Sequence, residues 1–535
     1  MGLSSLRISK LWAAALVCFS FGSAALAQQP NPPKPPVRGG TAIVALSQNP
    51  ATINPLFTTA VPDQTIGCMI YQGLTDIGLD FRPKPVLAKS WTVSPDGLTY
   101  SFELVKTTWQ DGKPFTSDDV KYSLIELSAK YSAIFRSAAN VIDTIETPAP
   151  DKVVIKLKKP FGPFLLSLAC ERGGGILPAH LYRDKGDPKA NPVTGEQPVG
   201  TGPFKFGDRK HGEYVRVVRN PTYWEPGKPY LDEIVIRIIT QPSSRMQALE
   251  AGEIDFVPTF PVSSKVAVLG NPKLKIVDSD SQSSNILFFN LQHKPLDIKK
   301  VRQALHVATD RDYLIKNTFF DVGVAGKNPF TTDIGWIANP AVDLTKMYAY
   351  DPARANAMLD EAGVKRGADG KRFPIKIVTY ANEFPELVQT AIALKSMWAQ
   401  VGVDVTVEQV ETATILRRVF FDRDFDVHLN AYGTYSDPAL GIARAYVTTP
   451  GGIPNGNPSG YSNPVVDDLF EKGERGTTLE ERGKFYQELQ AIIAEDVPAI
   501  ALRQYTPLNA MSAKLWGIYH HAYANGRYGE GWLEK

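Results

Sequence analysis

The sequence lacks the residue patterns that most catalytic and metal sites require. It contains three cysteines and seven histidines in 535 residues, and none of them has the spacing of a structural zinc site. It has no HExxH pair, no GxSxG elbow and no phosphate-binding loop that ends in Lys-Ser or Lys-Thr. These absences favour a binding protein over an enzyme, and they predict no cofactor.

The sequence also has little excess charge. The net charge is +2, and charged residues make up 21% of the chain against 43% hydrophobic residues. Lysine and arginine are scattered along the chain and form no basic patch. A nucleic-acid partner is therefore not expected, and the length predicts two or three compact units.

The N-terminus has the features of an export signal. Arg7 and Lys10 precede an apolar run over residues 11–24, and "ALA" at 25–27 fits a cleavage site after Ala27. The run is too short to span a bilayer comfortably. A retained membrane anchor and a lipid attached at Cys18 both stay open. Residues 1–27 are thus predicted to be a signal peptide, followed by a proline-rich spacer over 28–38.

Two cysteines remain after this cleavage. Exported proteins often join such a pair in a disulfide, so Cys68 and Cys170 are candidates for one. They could equally be two separate buried thiols, and the spacing does not decide between the two arrangements.

Two segments predict strand–helix–strand units. The first runs from "LDEIVIRIIT" through "SRMQALEAG" to "EIDFV", and the second runs from "FPIKIVTY" through "ELVQTAIALKSMWAQVG" to "VDVTVEQV". Such units imply parallel pairing with helices on the sheet faces. Because the two units lie far apart in the chain, we expect them in separate sheets and separate lobes.

Several further segments resemble one protein family in their order and spacing. They are "YQGLTDIGLDFRPKPVLAKSWTVSPDGLTYSF", "DGKPFTSDDV", "PVGTGPFKF", "VRNPTYWEPGKPYLDEIVIRII", "NLQHKPLDIKKVRQALHVATDR" and "SGYSNPVVDDLF". Together they resemble bacterial extracellular solute-binding proteins of family 5, the peptide, oligopeptide and nickel binders of ABC transporters. The resemblance covers the chain from Gly39 to the C-terminus.

The resemblance implies an α/β fold of the bilobal periplasmic-binding-protein type, with two mixed-sheet lobes joined by a hinge. Lobe I would cover residues 39–287, with an extra subdomain at about 74–198. Lobe II would cover 288–504, and residues 505–535 would return to lobe I. The implied protein is a periplasmic monomer that captures a peptide or peptide-like solute, delivers it to a membrane permease of an ABC importer and catalyses no reaction.

The resemblance also points to site residues. In peptide-binding members an aspartate of a lobe II loop meets the ligand's α-amino group, and Asp437 is the only acid in that loop here. Tyr432 and Tyr435 would form walls of the site, and Asn49 would contribute from lobe I. The residues alone allow another interpretation, because an Asp-Pro pair commonly starts a turn and the aspartate then caps the next helix.

The sequence departs from dipeptide-binding members in two places. Where those members carry the amine-binding aspartate, this chain has Thr434. Where they carry an arginine for the ligand carboxylate, it has Glu383 and Glu386. A non-peptide solute, such as an opine, an oligosaccharide or a nickel chelate, therefore stays open. Two different classes of protein also stay open, an exported hydrolase and a metal-binding protein that uses His520-His521.

Overall fold

The structure is a computed structural model, and it describes residues 34–78, 80–278, 283–331, 334–381, 384–449, 451–453, 455–518 and 528–534. The predicted signal peptide, most of the spacer, Glu383 and His520-His521 lie outside the described residues. Within them, no helix is both long and apolar enough to cross a bilayer.

Lobe I is built on a seven-stranded mixed sheet. Its central strand, Thr41–Leu46, lies parallel to both strands of the first predicted strand–helix–strand unit, so that unit is confirmed. The helix between them, Pro242–Glu250, begins at a proline in its first turn. At this position the missing N–H of proline removes no intrahelical hydrogen bond. In spatial order the strands are Phe204–Lys210, Tyr214–Arg219, Glu233–Ile238, Thr41–Leu46, Phe256–Val257, Leu508–Ser512 and Leu274–Asp278.

Lobe II is built on a six-stranded sheet that contains the second predicted unit. Phe373–Tyr380 and Val403–Val410 pair in parallel, and the helix Pro385–Ala399 buries Leu387, Leu394 and Trp398. In spatial order the strands are Val324–Ala325, Ala499–Tyr505, Ser283–Phe289, Val427–Gly433, Phe373–Tyr380 and Val403–Val410. The expectation that the two units occupy separate sheets is therefore confirmed.

Strand pairing corrects one predicted limit of lobe I. Ser283–Phe289 pairs along its length with Val427–Gly433 and Ala499–Tyr505 of the lobe II sheet, so residues 283–287 belong to lobe II and not to lobe I. The physical reason is that a strand buried on both faces, as this one is over residues 284–289, fits the middle of either sheet. Its own residues cannot show which sheet it joins.

The chain passes between the two sheets twice. The first passage lies between the strand that ends at Asp278 and the strand that begins at Ser283, and the second lies between Tyr505 and Leu508. Only Thr506 and Pro507 separate the two strands at the second passage. The short second passage is a position where a rotation between the lobes can be absorbed.

The extra subdomain has its own four-stranded antiparallel sheet and its own core around Trp109, Phe135 and Phe161. The strands, in spatial order, are Ala88–Val93, Thr99–Leu104, Lys152–Leu157 and Ile142–Ala149. A capping box starts its helix Ser117–Tyr122, with Thr116 and Asp119 satisfying each other's backbone donors. Smaller pairs join Gln72–Gly73 to Gly175–Ile176, Thr75–Ile77 to Pro83–Pro85, and Leu515–Trp516 to Trp532–Leu533.

The remaining helices cover the faces of the sheets. Lobe I and the subdomain contain Val61–Ile70, Lys265–Gly270, Arg136–Val141, Phe164–Ser167 and Ala179–Tyr182. The further lobe II α-helices are Lys299–Val307, Arg311–Asn317, Leu344–Met347, Pro352–Glu361, Thr412–Ile415, Ala443–Tyr446, Pro464–Arg475 and Leu479–Asp496. The last of these helices carries Arg482, which contacts Asp437 in the loop after the strand Val427–Gly433.

Candidate functional site

A strained loop follows the lobe II strand Val427–Gly433. Tyr435 and Ser436 have φ values of 58° and 72°, in the left-handed region that residues with a Cβ rarely adopt. Such a conformation persists only where the surrounding structure fixes it. Here the fixing contacts come from Asp437, the next residue.

Asp437 forms a buried ion pair with Arg482. The carboxylate oxygens accept from Nη2 and Nη1 of the guanidinium, each at 2.7 Å. Oδ1 also accepts from the backbone N–H of Ala439 at 3.0 Å, so Asp437 caps the short helix Pro438–Leu440. The side chain is 2% exposed. The helix cap that the Asp-Pro pair allows is therefore the arrangement that the structure contains.

The charge of this pair is balanced inside the protein. Burial acts to lower the pKa of Arg482, but the adjacent Asp437 carboxylate outweighs it and the pKa is raised above its usual value. Nε of Arg482 donates to the Gly473 carbonyl at 2.5 Å, so the guanidinium is held from both sides. A ligand ammonium at Asp437 would have to displace this guanidinium.

Tyr432 is part of the lobe II core. Its ring packs edge-on against Phe288 at a centroid distance of 5.2 Å, and the side chain is almost fully buried. Its hydroxyl donates weakly to the carbonyls of Asn455 and Gly456, at 3.4 Å each. Burial raises the pKa of this phenol. Tyr432 thus supports the strand that presents the loop.

Tyr435 lies where the two lobes meet. From lobe I, Nη2 of Arg172 donates to the Tyr435 carbonyl at 2.9 Å, and the guanidinium lies 5.3 Å from the ring centroid. From lobe II, Nη2 of Arg444 donates to the Tyr435 hydroxyl at 3.0 Å, and its guanidinium lies 5.4 Å from the same centroid. We call Arg172, Tyr435 and Arg444 the interlobe cluster.

Asn49 occupies a different part of the molecule. Its Oδ1 accepts from the backbone N–H of Gly212 at 2.9 Å, and its Nδ2 donates to the Pro50 carbonyl and contacts the His211 ring. All these contacts lie within lobe I. The structure therefore brings Tyr432, Tyr435 and Asp437 together but does not place Asn49 in contact with them.

Cys68 and Cys170 are joined in a disulfide. The bond links the lobe I helix Val61–Ile70 to the turn Cys170–Arg172, and that turn carries the lobe I arginine of the interlobe cluster. A cavity of about 140 Å³ adjoins the bond and is lined by both cysteines, Tyr528 and Glu530 among others. This cavity lies within lobe I and not between the lobes.

The lobes also touch beside the interlobe cluster. The backbone N–H of Gly162 in the subdomain donates to the Glu474 carbonyl of lobe II at 2.8 Å, and Lys159 lies 3.7 Å from the Glu474 carboxylate. Leu440, which follows the site loop, packs against subdomain residues Ile77 and Leu166. The site loop is therefore at the lobe boundary on more than one side.

Three residues of this site do not stand out in the sequence. Arg172 stands in "ERGGG", which favours only a flexible turn, and Arg444 and Arg482 stand on helices with ordinary surface patterns. The cysteine two positions before Arg172 is the one local signal, because a disulfide would fix this turn. No group of three or more His, Cys, Asp or Glu side chains that could hold a metal ion occurs within the ranges described.

His428 lies on the lobe II strand Val427–Gly433. Its protonation provides a test of how the stability of the lobe II core depends on pH. Burial lowers its pKa to about 4, although a hydrogen bond to the Val378 carbonyl acts in the opposite direction. Since the unfolded pKa is near 6.5, the unfolded chain binds more protons between pH 6.5 and 4. The stability that neutral His428 contributes is present above pH 6.5 and falls by about 3 kcal/mol as the pH drops through this window.

We expect urea midpoints to decrease between pH 7 and pH 4.5, and to decrease less in His428→Asn. The fully buried His306 also has its pKa lowered by burial, so the pH dependence should be reduced but not abolished. His211→Asn is the matched control, because that histidine is exposed on lobe I. An identical pH slope in wild type and His428→Asn would contradict the assignment.

The comparison with known families decides which group this architecture represents. The family model for bacterial extracellular solute-binding proteins, family 5 (middle), matches residues 82–452. The chain belongs to this family. The resemblance seen in the sequence is thereby confirmed, and the bilobal α/β fold is the one that its structural relatives share.

Curated relatives of this family 5 protein cover different shares of its length. It is 29% identical over 484 residues to the glutathione-binding protein GsiB of Escherichia coli K12, covering 89% of this chain and 91% of GsiB. It is 35% identical over 334 residues to a Brucella ovis protein named as an ABC transporter peptide-binding protein. That match covers 61% of this chain, and this chain spans 60% of the Brucella protein.

Solved structures agree in fold over nearly the whole chain. The oligopeptide-binding protein AppA of Bacillus subtilis, in complex with a nonapeptide, is 26% identical with a TM-score of 0.78, covering 94% of this chain and all of AppA. AgaA of A. tumefaciens R10, in complex with agropinic acid, is 25% identical with a TM-score of 0.76, covering 93% of this chain and 99% of AgaA.

Proposed function

We propose that this family 5 protein is the periplasmic substrate-binding component of an ABC importer. It captures a peptide or peptide-like solute between its two lobes and delivers it, as a monomer, to a membrane permease. It catalyses no reaction. The export signal would be cleaved after Ala27, so that the folded protein acts outside the cytoplasmic membrane.

The observation that carries this proposal is the interlobe cluster. Arg172 of lobe I and Arg444 of lobe II contact one tyrosine in a loop at the lobe boundary. A solute bound there would interact with both lobes at once, and it would therefore stabilise the closed arrangement over the open one. The relatives named for peptides, glutathione and a nonapeptide support a peptide-like solute.

We propose different roles for the four residues predicted from the sequence. Tyr435 contacts the solute through its ring and its hydroxyl, since it is the one of the four at the lobe boundary. Asp437 and Tyr432 act as positioning residues that fix the loop. Asn49 fixes the loop after the lobe I strand Thr41–Leu46 through the Gly212 backbone.

Tyr435→Ala should weaken solute binding about five- to thirtyfold, because truncating a central aromatic contact costs on the order of 1–2 kcal/mol. The measurement is a titration of the purified protein with a mixture of tripeptides, followed by tryptophan fluorescence and by melting temperature. Tyr350→Ala, at an exposed tyrosine of lobe II, is the control and should bind as wild type does. Equal affinities of Tyr435→Ala and wild type would remove Tyr435 from the site.

A non-peptide solute is the second candidate, and a specific observation favours keeping it. The carboxylate that would receive a peptide's α-amino group is occupied by Arg482, and one structural relative was solved with agropinic acid. Mass spectrometry of the solute that co-purifies with the native protein separates the two candidates. A peptide supports the first, and an opine, an oligosaccharide or a nickel chelate supports the second.

A further inference from the structure

A strained turn follows the lobe II helix Arg311–Asn317. Phe320 and Asp321 have φ values of 53° and 55°, so two neighbouring residues with a Cβ occupy the left-handed region. Such a conformation costs energy and is kept only where the surrounding contacts fix it. Gly323, with a φ of 85°, ends the turn. We call this segment the 319–323 turn.

Lobe II holds both ends of the 319–323 turn. At its start, the Phe319 side chain is fully buried in the lobe II core, and the Arg503 guanidinium lies 4.0 Å from its ring centroid. At its end, Gly323 lies so close to the strand Ala499–Tyr505 that an added Cβ would overlap the Gln504 carbonyl oxygen. The turn is therefore anchored in lobe II on both sides of its strained residues.

The side chain between these two ends packs in the other lobe. Val322 is 5% exposed and belongs to a buried apolar cluster whose other described members all lie in lobe I. Those members include Met246, Leu249, Val257, Phe260, Val268 and Leu508. Beside this contact, Nζ of Lys265 in lobe I donates to the Asp321 carbonyl at 3.2 Å. The turn thus inserts one lobe II side chain into the lobe I core.

This contact lies beside the second passage between the lobes. Leu508 begins the lobe I strand that follows the passage, and it belongs to the cluster that receives Val322. The lobes also touch at the site loop, where Arg172 donates to the Tyr435 carbonyl, so Val322 is buried in an arrangement in which the lobes are together. A rotation at the passage moves Val322 relative to its lobe I neighbours. Separating them exposes apolar surface on both sides, which costs free energy.

We infer that the 319–323 turn is an interlobe latch: Val322 is buried in lobe I when the lobes are closed and leaves that core when they open. This inference rests on the proposed function. The left-handed conformation of Phe320 and Asp321 directs Val322 out of lobe II. Because the latch stabilises the closed arrangement through burial that involves no solute atom, it raises the apparent affinity for every solute that the lobes enclose.

The test measures whether position 322 is accessible in protein stripped of solute. Cys68 and Cys170 are joined and Cys18 lies in the predicted signal peptide, so Val322→Cys places a single free thiol in the mature protein. Cysteine is small and readily buried, and the melting temperature establishes that the variant folds. The rate of alkylation by N-ethylmaleimide is compared with that of the matched control Val324→Cys, whose valine is 57% exposed on the same lobe.

In stripped protein, the thiol of Val322→Cys should react within about tenfold of the rate of Val324→Cys. Adding back the solute that co-purifies with the native protein should slow Val322→Cys by about tenfold or more and leave the control unchanged. Hydrogen exchange of the wild-type 319–323 turn, followed by mass spectrometry, should be faster without that solute. This last measurement needs no substitution.

Spin labels at Lys210→Cys and Lys484→Cys, both exposed positions, report on a separate sample whether the lobes open. If they open, two results would overturn the latch while leaving solute capture intact. One is protection of Val322→Cys by more than about tenfold in stripped protein, and the other is an alkylation rate that the added solute does not change. A spin-label distance that is the same with and without the solute would overturn hinged capture itself, and the latch with it.

Discussion

Removing the charge of Asp437 should destabilise the protein by about 3–5 kcal/mol, because Arg482 is then left buried without its partner. The guanidinium and carboxylate side chains are only 3% and 2% exposed, so water cannot take the place of the lost partner. Asp437→Asn is the informative change, since asparagine can still cap the helix that begins at Pro438. The measurement is the free energy of unfolding in urea.

Two further variants separate the ion pair from other effects. Asp437→Asn combined with Arg482→Met removes both charges and should recover much of the lost stability, because a buried pair is often replaceable by apolar groups. Glu480→Gln is the matched control: its pair with Lys484 is 86% and 71% exposed, and such pairs contribute little. If Asp437→Asn lowers the free energy of unfolding by less than about 1 kcal/mol, the Asp437 carboxylate does not form a strong ion pair with Arg482. Asp437 would then again be a candidate for direct contact with the ligand.

Removing the disulfide should have an effect of similar size. The bond joins residues 102 positions apart, and closing a loop of about 100 residues stabilises by up to about 4.7 kcal/mol in the chain-entropy account, with measured losses of about 2–5 kcal/mol. We expect Cys68→Ala with Cys170→Ala to lose stability in this range. Wild type treated with a dithiol reductant should lose the same amount.

The double alanine variant is also the control for reduction, because the dithiol should not change its unfolding curve further. Since Arg172 follows Cys170 by two residues in the same turn, solute affinity should fall along with stability. An unfolding free energy that is unchanged after full reduction, verified by thiol titration, would contradict the structural role of this bond.

The sequence predicts the parts of the fold that local periodicity determines. The strand–helix–strand units are recognisable because their strands are apolar runs and their helices bury one stripe of side chains. The capping box at Thr116 is a four-residue pattern of the sequence, and the structure contains it. The assignment of Ser283–Leu287 to lobe I is wrong because sheet membership depends on distant strands.

The site is less predictable for the same reason. The Asp-Pro pair at Asp437 indicates a turn and a cap, and both are present. Its decisive partner, Arg482, lies 45 residues further along the chain, and no local pattern links the two residues. The contact of Arg172 with Tyr435 spans 263 positions and both lobes. Tertiary contacts of this kind decide which polar residues remain available to a solute.

We expect two hinged lobes to close on a solute at the interlobe cluster. The most direct test is a distance measurement by electron paramagnetic resonance between spin labels on Lys210→Cys in lobe I and Lys484→Cys in lobe II, both exposed positions. With the native disulfide kept oxidised, the protein stripped of solute should show a longer distance, and adding back the co-purified solute should replace it with a shorter one. A single distance that is the same with and without solute would contradict the account.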